Sequence, residues 1–396
     1  MAARPWLILA AMVLARIAFG YQYQTVASLA PELIAAYGLD YTSIGTLIGV
    51  FVAPGIVLAL PLGLLGRRYG DRLIVGGGLA LMTAGPLLGA VWADPVGIGA
   101  GRLLAGAGGV AMIVLQNKII SDWFSGRAFM VAIGLSVAAY PVGVSGAQIA
   151  LPLIVAASGT VAALVSDAVL VGITLVLFLA SYREAPSAHP APRRFSLPGR
   201  RECLLVLVGG LVWTAYTGCY GGFVSYVPSL MSVRGHSAWT AGAVMTVATW
   251  GSIPATLAGG ALGARFGNLR VLVFGTVAMA LGCIGIAFTA WPLASAVLFG
   301  VLGSAQPSII MAAGTLSSRP ENRAVGMGIF YTTYYAGNAL APALCGHAAD
   351  LAGGPGGALY AAAAIGLLAI PLWLLHASLA SGGSSPRRKL AALERG

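Results

Sequence analysis

The chain has 396 residues, of which 58% are hydrophobic and only 8% charged. A water-soluble domain carries about 25% charged residues, so this chain lacks the means to cover a water-facing surface of ordinary size. Its net charge of +11 is spread over short loops between apolar runs, with no continuous basic face, which argues against a nucleic-acid-binding protein.

A helix that crosses a bilayer needs about 20 apolar residues. Such runs occupy roughly 6–34, 42–65, 73–92, 97–119, 128–152, 160–182, 204–230, 238–262, 270–290, 292–314, 324–346 and 357–378. Backbone groups in lipid must satisfy one another, and the short alternating segments of a membrane barrel do not occur, so these runs predict helices. The first begins like a signal peptide, with Arg4 ahead of an apolar stretch from Trp6. Arg16 interrupts it and the pattern resumes as far as Pro31, which predicts a retained first helix. A Pro- and Arg-rich segment at 183–203 separates two groups of six, giving bundles at 1–182 and 204–378 and a polar, basic tail at 379–396 suited to anionic headgroups. Cys203, Cys219, Cys283 and Cys345 all fall in apolar surroundings without CxxC or Cys/His spacing and read as small packing residues, with no metal site.

Lys and Arg concentrate in cytoplasmic loops of membrane proteins. With the N-terminus inside, Arg4, the Arg67–Arg72 loop, Lys118, Arg127, the 183–201 segment, Arg265, Arg270, Arg319, Arg323 and the tail all fall on the cytoplasmic side. Arg234 alone is left outside, and Arg16 and Arg102 within the membrane. Both termini are therefore expected in the cytoplasm.

The stretch Gly63-x-Leu65-Gly66-x-Arg68-x-Gly70-Asp71-Arg72 returns as Gly260-x-Leu262-Gly263-x-Arg265-x-Gly267-Asn268, 197 positions later. A weaker echo pairs Arg127-Ala128 with Arg323-Ala324. Two halves related by an internal repeat are typical of secondary transporters.

The segment from Gly63 resembles the signature loop of the major facilitator superfamily, G-x-L-x-D-R-x-G-R-R, and Arg102-Leu-Leu-Ala-Gly106-Ala-Gly108 resembles that family's fourth-helix motif. Asp122-Trp123-Phe124 with Arg127 is similar to the loop of its anion-type members, the cyanate/nitrite permease-like and oxalate/formate antiporter-like groups. The resemblance implies an all-α membrane protein with 12 transmembrane helices in two pseudo-symmetric six-helix bundles. It also implies a monomer working by alternating access, with its site at the midplane between the halves and no cofactor. One departure stands out: the family's loop Asp is Arg67 here, and Asp71 follows four residues later. The conformational latch expected of Gly63, Arg67, Arg68, Gly70, Asp71, Arg72, Asp122, Arg127, Gly260, Arg265 and Gly267 then falls to Asp71 or Asp122 for its acid.

Arg16 lies near the middle of the first span, where an Arg costs about 2.5–3.5 kcal/mol to insert and marks function by default. Tyr23 shares its face and Gln24 lies nearby. Its fork suits a carboxylate or small oxyanion; the alternative is a structural pair with a carbonyl or buried acid. Arg102 shares a stripe with Gly106, Gly109 and Gln116 and has either a coupling or a structural role, while Lys118 is expected to snorkel to the interface. Glu32 and Asp167 are the acids placed to carry a proton. Their scarcity argues against a cation-drug pump. The second half offers aromatic stripes instead: Trp213, Tyr216 and Tyr220 on one helix, and Tyr331, Tyr334, Tyr335 and Asn338 on another, with Gln306 and Trp250 as further candidates. Gly45-x-x-x-Gly49 and Gly218-x-x-x-Gly222 fit close helix approach. No nucleophile–base, dinucleotide or zinc pattern points to an enzyme. The expectation is a transporter of a small anion, a monocarboxylate or cyanate/nitrite-like species, driven by protons or by exchange. A drug or metabolite efflux antiporter and a non-transporting membrane sensor are the alternatives.

Overall fold

The computed structural model describes residues 3–183, 198–288, 291–319 and 322–380. They form α1 (Ala3–Ser28), α2 (Ala30–Tyr37), α3 (Tyr41–Val50), α4 (Gly55–Tyr69), α5 (Asp71–Val91), α6 (Pro95–Trp123), α7 (Gly126–Ser181), α8 (Arg200–Val233), α9 (Ala238–Phe266), α10 (Asn268–Phe288), α11 (Pro292–Val297), a π-helical turn (Leu298–Leu302), α12 (Gln306–Leu316), α13 (Arg323–Leu351), α14 (Gly356–Leu367) and α15 (Ala369–Ala380). Among the described residues these elements make twelve membrane crossings, six in each half. The architecture is all-α.

Several crossings are built differently from the uninterrupted runs that hydropathy predicts. The first ends at Leu29, where the chain leaves helical geometry and Pro31 opens the short α2. The second is broken: residues 51–54 form turns between α3 and α4, because Pro54 has no N–H to continue the ladder. The fifth and sixth run together as α7 with no loop between them. The reversal happens at Gly159 alone, whose φ of 83° and ψ of 172° only glycine adopts readily. The tenth passes through the π-helical turn between α11 and α12.

The chain divides into two compact units, residues 1–191 with 231–243, and residues 192–230 with 244–396. In the first, α1 packs along α7 and α5 along α6. Lipid gives no hydrophobic drive for helices to associate, so close approach at small residues does that work. Gly20 abuts the Tyr140 carbonyl, Gly143 the Ile17 carbonyl, and Gly85 faces Gly101, each with no room for a Cβ. In the second unit α10 and α13 pack on α14. There Gly222 seats Ala362, and Gly218 seats Ile365, as the small-residue spacing predicts.

Candidate functional site

Two arginines lie inside the first unit, and their surroundings differ. Arg102, on the second turn of α6, is 7% exposed. The break in the second crossing turns the Phe51 N–H to the Ile48 carbonyl (3.3 Å), which leaves the Leu47 carbonyl without a helical donor. Arg102 Nε fills that position at 2.6 Å, and its terminal nitrogens donate to the carbonyls of Gln22 (3.0 Å), Tyr23 (3.3 Å) and Ile48 (3.5 Å). The guanidinium also lies 4.8 Å from the Phe51 ring centre. Gly106, one turn on, lets the Phe51 carbonyl come against α6, and Gly109 accepts the Phe19 ring. The Arg102–Gly106–Gly109 stripe thus seats the broken helix and α1 against α6. Gln116 continues it, donating to the Met12 carbonyl (3.3 Å) and the Ser136 hydroxyl (2.8 Å).

Arg16 is half-buried on α1 and makes no hydrogen bond or ion pair among the described residues. Its guanidinium carbon lies 5.7 Å from the centre of the Phe19 ring and 5.6 Å from that of Tyr140. Tyr23 joins the same aromatic group, 6.1 Å from Tyr140 and 6.2 Å from Phe51 between ring centres. Gln24 is fully buried and donates to Gln148 (3.3 Å), which also accepts from Ser28 (2.9 Å).

Of the two acids placed to carry a proton, Glu32 is in the first turn of α2, with one buried oxygen that has no partner among the described residues. Asp167, in the second part of α7, is 2% exposed and accepts a hydrogen bond from Thr25 (3.1 Å). Asp167, Thr25, Gln22, Phe51 and Arg102 line one small cleft within the first unit.

At the Asp71 end of α5, Lys118 is held by two carboxylates. Its ammonium lies 2.6 Å from Asp71 and 3.0 Å from Asp122, with Asp71 only 2% exposed and also accepting from the Tyr182 hydroxyl (3.3 Å). The side chain expected to snorkel is 35% exposed, and both carboxylates lie within reach of its ammonium. Arg72 donates to the Leu179 carbonyl (2.8 Å), and Arg68 lies over Tyr69. The repeat has a backbone cause. Gly70 and Gly267 both adopt positive φ (84° and 89°) and donate their N–H to the carbonyls of Gly66 and Gly263. Gly66 and Gly263 are themselves crowded by Leu115 and by Asn268 and Ile309. Gly260 has open space around it, and Arg265 lies over Phe266. The side chains of Gly63, Arg67, Arg127 and Arg323, and most of the 183–203 segment and the tail, lie outside the described residues.

In the second unit the two aromatic stripes meet. Trp213 stacks on Tyr216 (5.5 Å) and faces Tyr334 (6.4 Å), which contacts Tyr331 and Tyr335. Tyr220 follows Tyr216 and reaches Phe299. Asn338 donates to the Thr217 hydroxyl (2.8 Å). Gln306 is drawn away from the stripes: it accepts from Thr276 (3.0 Å) and donates to the Gly303 carbonyl (2.9 Å), tying α12 to α10. Trp250 is 48% exposed on α9. Cys219 and Cys283 bring their sulfurs to 3.8 Å as buried thiols.

Residues that pattern reading passed over are Gln22, Thr25, Phe51 and Tyr140. The signal for the first two was present in the run Tyr21-Gln22-Tyr23-Gln24-Thr25, an unusually polar stretch within a membrane helix.

A sequence profile described as the Major Facilitator Superfamily matches residues 12–292 and 235–394. Over 118 residues the chain is 28% identical to the inner membrane transport protein YajR of Escherichia coli, covering 28% of this chain and 26% of that protein, so about a quarter of that relative's length is matched. The structure resembles a bacterial homologue of the human lysosomal transporter Spinster in its inward-facing, occupied conformation, with a TM-score of 0.72 and 17% identity over 97% of this chain and 99% of that one. It also resembles the nucleoside transporter NupG (TM-score 0.71, 13% identity, 94% and 98% covered) and the Escherichia coli xylose transporter XylE in a partially occluded inward-open form (0.73, 14%, 94% and 97%). At these identities the likeness is one of fold.

Proposed function

This chain belongs to the Major Facilitator Superfamily and is a multi-pass membrane transporter, and on that premise we propose that its cargo is a small organic or inorganic anion moved by alternating access. The observation that carries this reading is Arg16. A guanidinium within a membrane helix is costly, and elsewhere in this molecule Arg102 offsets the cost with four carbonyls. Arg16 lies beside two ring faces and makes no hydrogen bond or ion pair among the described residues. A carboxylate or oxyanion would supply the missing charge and accept the planar fork of donors, with Tyr23 and Gln24 nearby. Trp213, Tyr216, Tyr220, Tyr331, Tyr334, Tyr335 and Asn338 form an aromatic wall with polar tips, suited to enclosing a small solute without binding a cation through charge. Transport is coupled to protons or runs by exchange, with Glu32 or Asp167 as the proton carrier and Arg102 assisting. The protein acts as a monomer in the inner membrane, with both termini cytoplasmic.

The test is ligand-induced thermal stabilisation of the purified protein in detergent, wild type against Arg16→Gln, over a panel of monocarboxylates, cyanate, nitrite, sugars, nucleosides and cationic drugs. A ligand at 100 times its Kd stabilises the folded state by about 2.7 kcal/mol. Stabilisation by an anion, absent from the variant, supports the proposal. Stabilisation by a neutral or cationic compound that survives Arg16→Gln moves the cargo to another class.

A further inference from the structure

Gln22 is 1% exposed, and its Nε2 donates to the Met82 carbonyl at 2.7 Å, which fixes the amide so that Oε1 is the other end. That Oε1 has no hydrogen-bond partner among the described residues. Asp167 uses Oδ2 to accept from Thr25, and its Oδ1 also has none. Both residues line the same cleft. Two buried acceptors thus border one small space, and two acceptors cannot satisfy each other unless one of them carries a hydrogen. Arg102 borders the cleft as well, yet its donors go to backbone carbonyls and it forms no ion pair among the described residues. Tyr21 is a further titratable group near Asp167, and Tyr23 lies near Arg102.

We propose that the cleft is a proton-binding site, in which Asp167 carries a proton on Oδ1 and donates it to Gln22 Oε1, and that this is the ion whose binding and release couple transport. The coupling clause rests on the transporter reading above; the protonation state does not. A neutral acid fits what surrounds it, because an ionised carboxylate only 2% exposed, with one hydroxyl donor among the described residues, would carry a heavy desolvation cost. A hard metal cation fits poorly. Such ions gather about six oxygens. The cleft's side chains offer those of Asp167, Gln22 and Thr25, beside a guanidinium and walls of Val26, Pro86 and Leu164. On release, the Oδ1–H bond breaks, the proton passes to water, and the carboxylate left behind is drawn to Arg102. Arg102 then turns from the Leu47 carbonyl, so the charge of one acid governs whether the break at 51–54 stays seated.

Infrared spectroscopy of the full-length protein in lipid tests this, as a difference between wild type and Asp167→Asn at neutral pH. The expected result is the carbonyl stretch of a protonated carboxylic acid, shifted in deuterium oxide, absent from the variant and identical in sodium and choline buffers. Asn at 167 can still donate to Gln22 and accept from Thr25, so this variant should fold; a melting curve matching wild type checks it. In Gln22→Leu the same band should move, because its O–H loses the acceptor. A carboxylate signature at position 167 would overturn the proposal, as would conversion of the band to carboxylate on adding sodium or a band unmoved by Gln22→Leu. The readout needs no cargo, so failure of the anion reading leaves this result standing and the reverse holds too.

Discussion

Arg16 and Arg102 are alike as residues and unlike as energetic objects. Arg102 replaces a backbone donor missing from a broken helix, so its removal leaves buried carbonyls unsatisfied at about 1–3 kcal/mol each. We expect Arg102→Met to lower the melting temperature of the ligand-free protein by several degrees. Arg102→Lys should restore little of it, since one ammonium cannot follow the planar fork. Arg16→Gln should leave the same melting temperature unchanged or raise it, because it removes a charge that no hydrogen bond or ion pair offsets among the described residues. Paired melting curves in detergent check both, and equal losses in the two variants would contradict the distinction. In the sequence both were solitary arginines in apolar runs. What separates them is the turn at 51–54, about fifty residues away from Arg102 along the chain, and local pattern carries no record of that pairing.

At the scale of helices, the number of crossings was legible because hydropathy measures desolvation directly. The interruptions were not, since a dihedral angle leaves little trace in hydropathy. Leu29, the turns at 51–54 and the reversal at Gly159 all lie within or between apolar runs. Glycine is the exception. Gly70 and Gly267 were visible as a repeated motif because positive φ demands that residue. Crowding also gives glycines unequal weight. Gly106→Ala would drive a methyl into the Phe51 carbonyl and should destabilise by about 1–3 kcal/mol, whereas Gly134→Ala enters open space and should be neutral or mildly stabilising. The Lys118–Asp71 contact invites a charge swap. Lys118→Asp and Asp71→Lys should each lower stability. Their combination should recover part of the loss, with a coupling of about 1 kcal/mol in a double-mutant cycle. A coupling near zero would show that Lys118 is held by Asp122 instead.

For the whole molecule, the distribution of Lys and Arg gave an orientation that the fold does not report, and it can be tested alone. A green fluorescent protein fused after Gly396 should fluoresce in a bacterial host, while alkaline phosphatase at the same point should stay inactive; active phosphatase would invert the proposed topology. The aromatic stripes were also legible, as helix faces, and they do meet within the second unit. Gln306 was not, because its partners Thr276 and Gly303 come from another helix and from the segment just ahead of α12. The turns at Gly70 and Gly267 match to within a few degrees of φ, while the following residue is Asp71 in one half and Asn268 in the other. The two loops therefore share a course of the backbone while one presents a carboxylate and the other a neutral amide to the same turn.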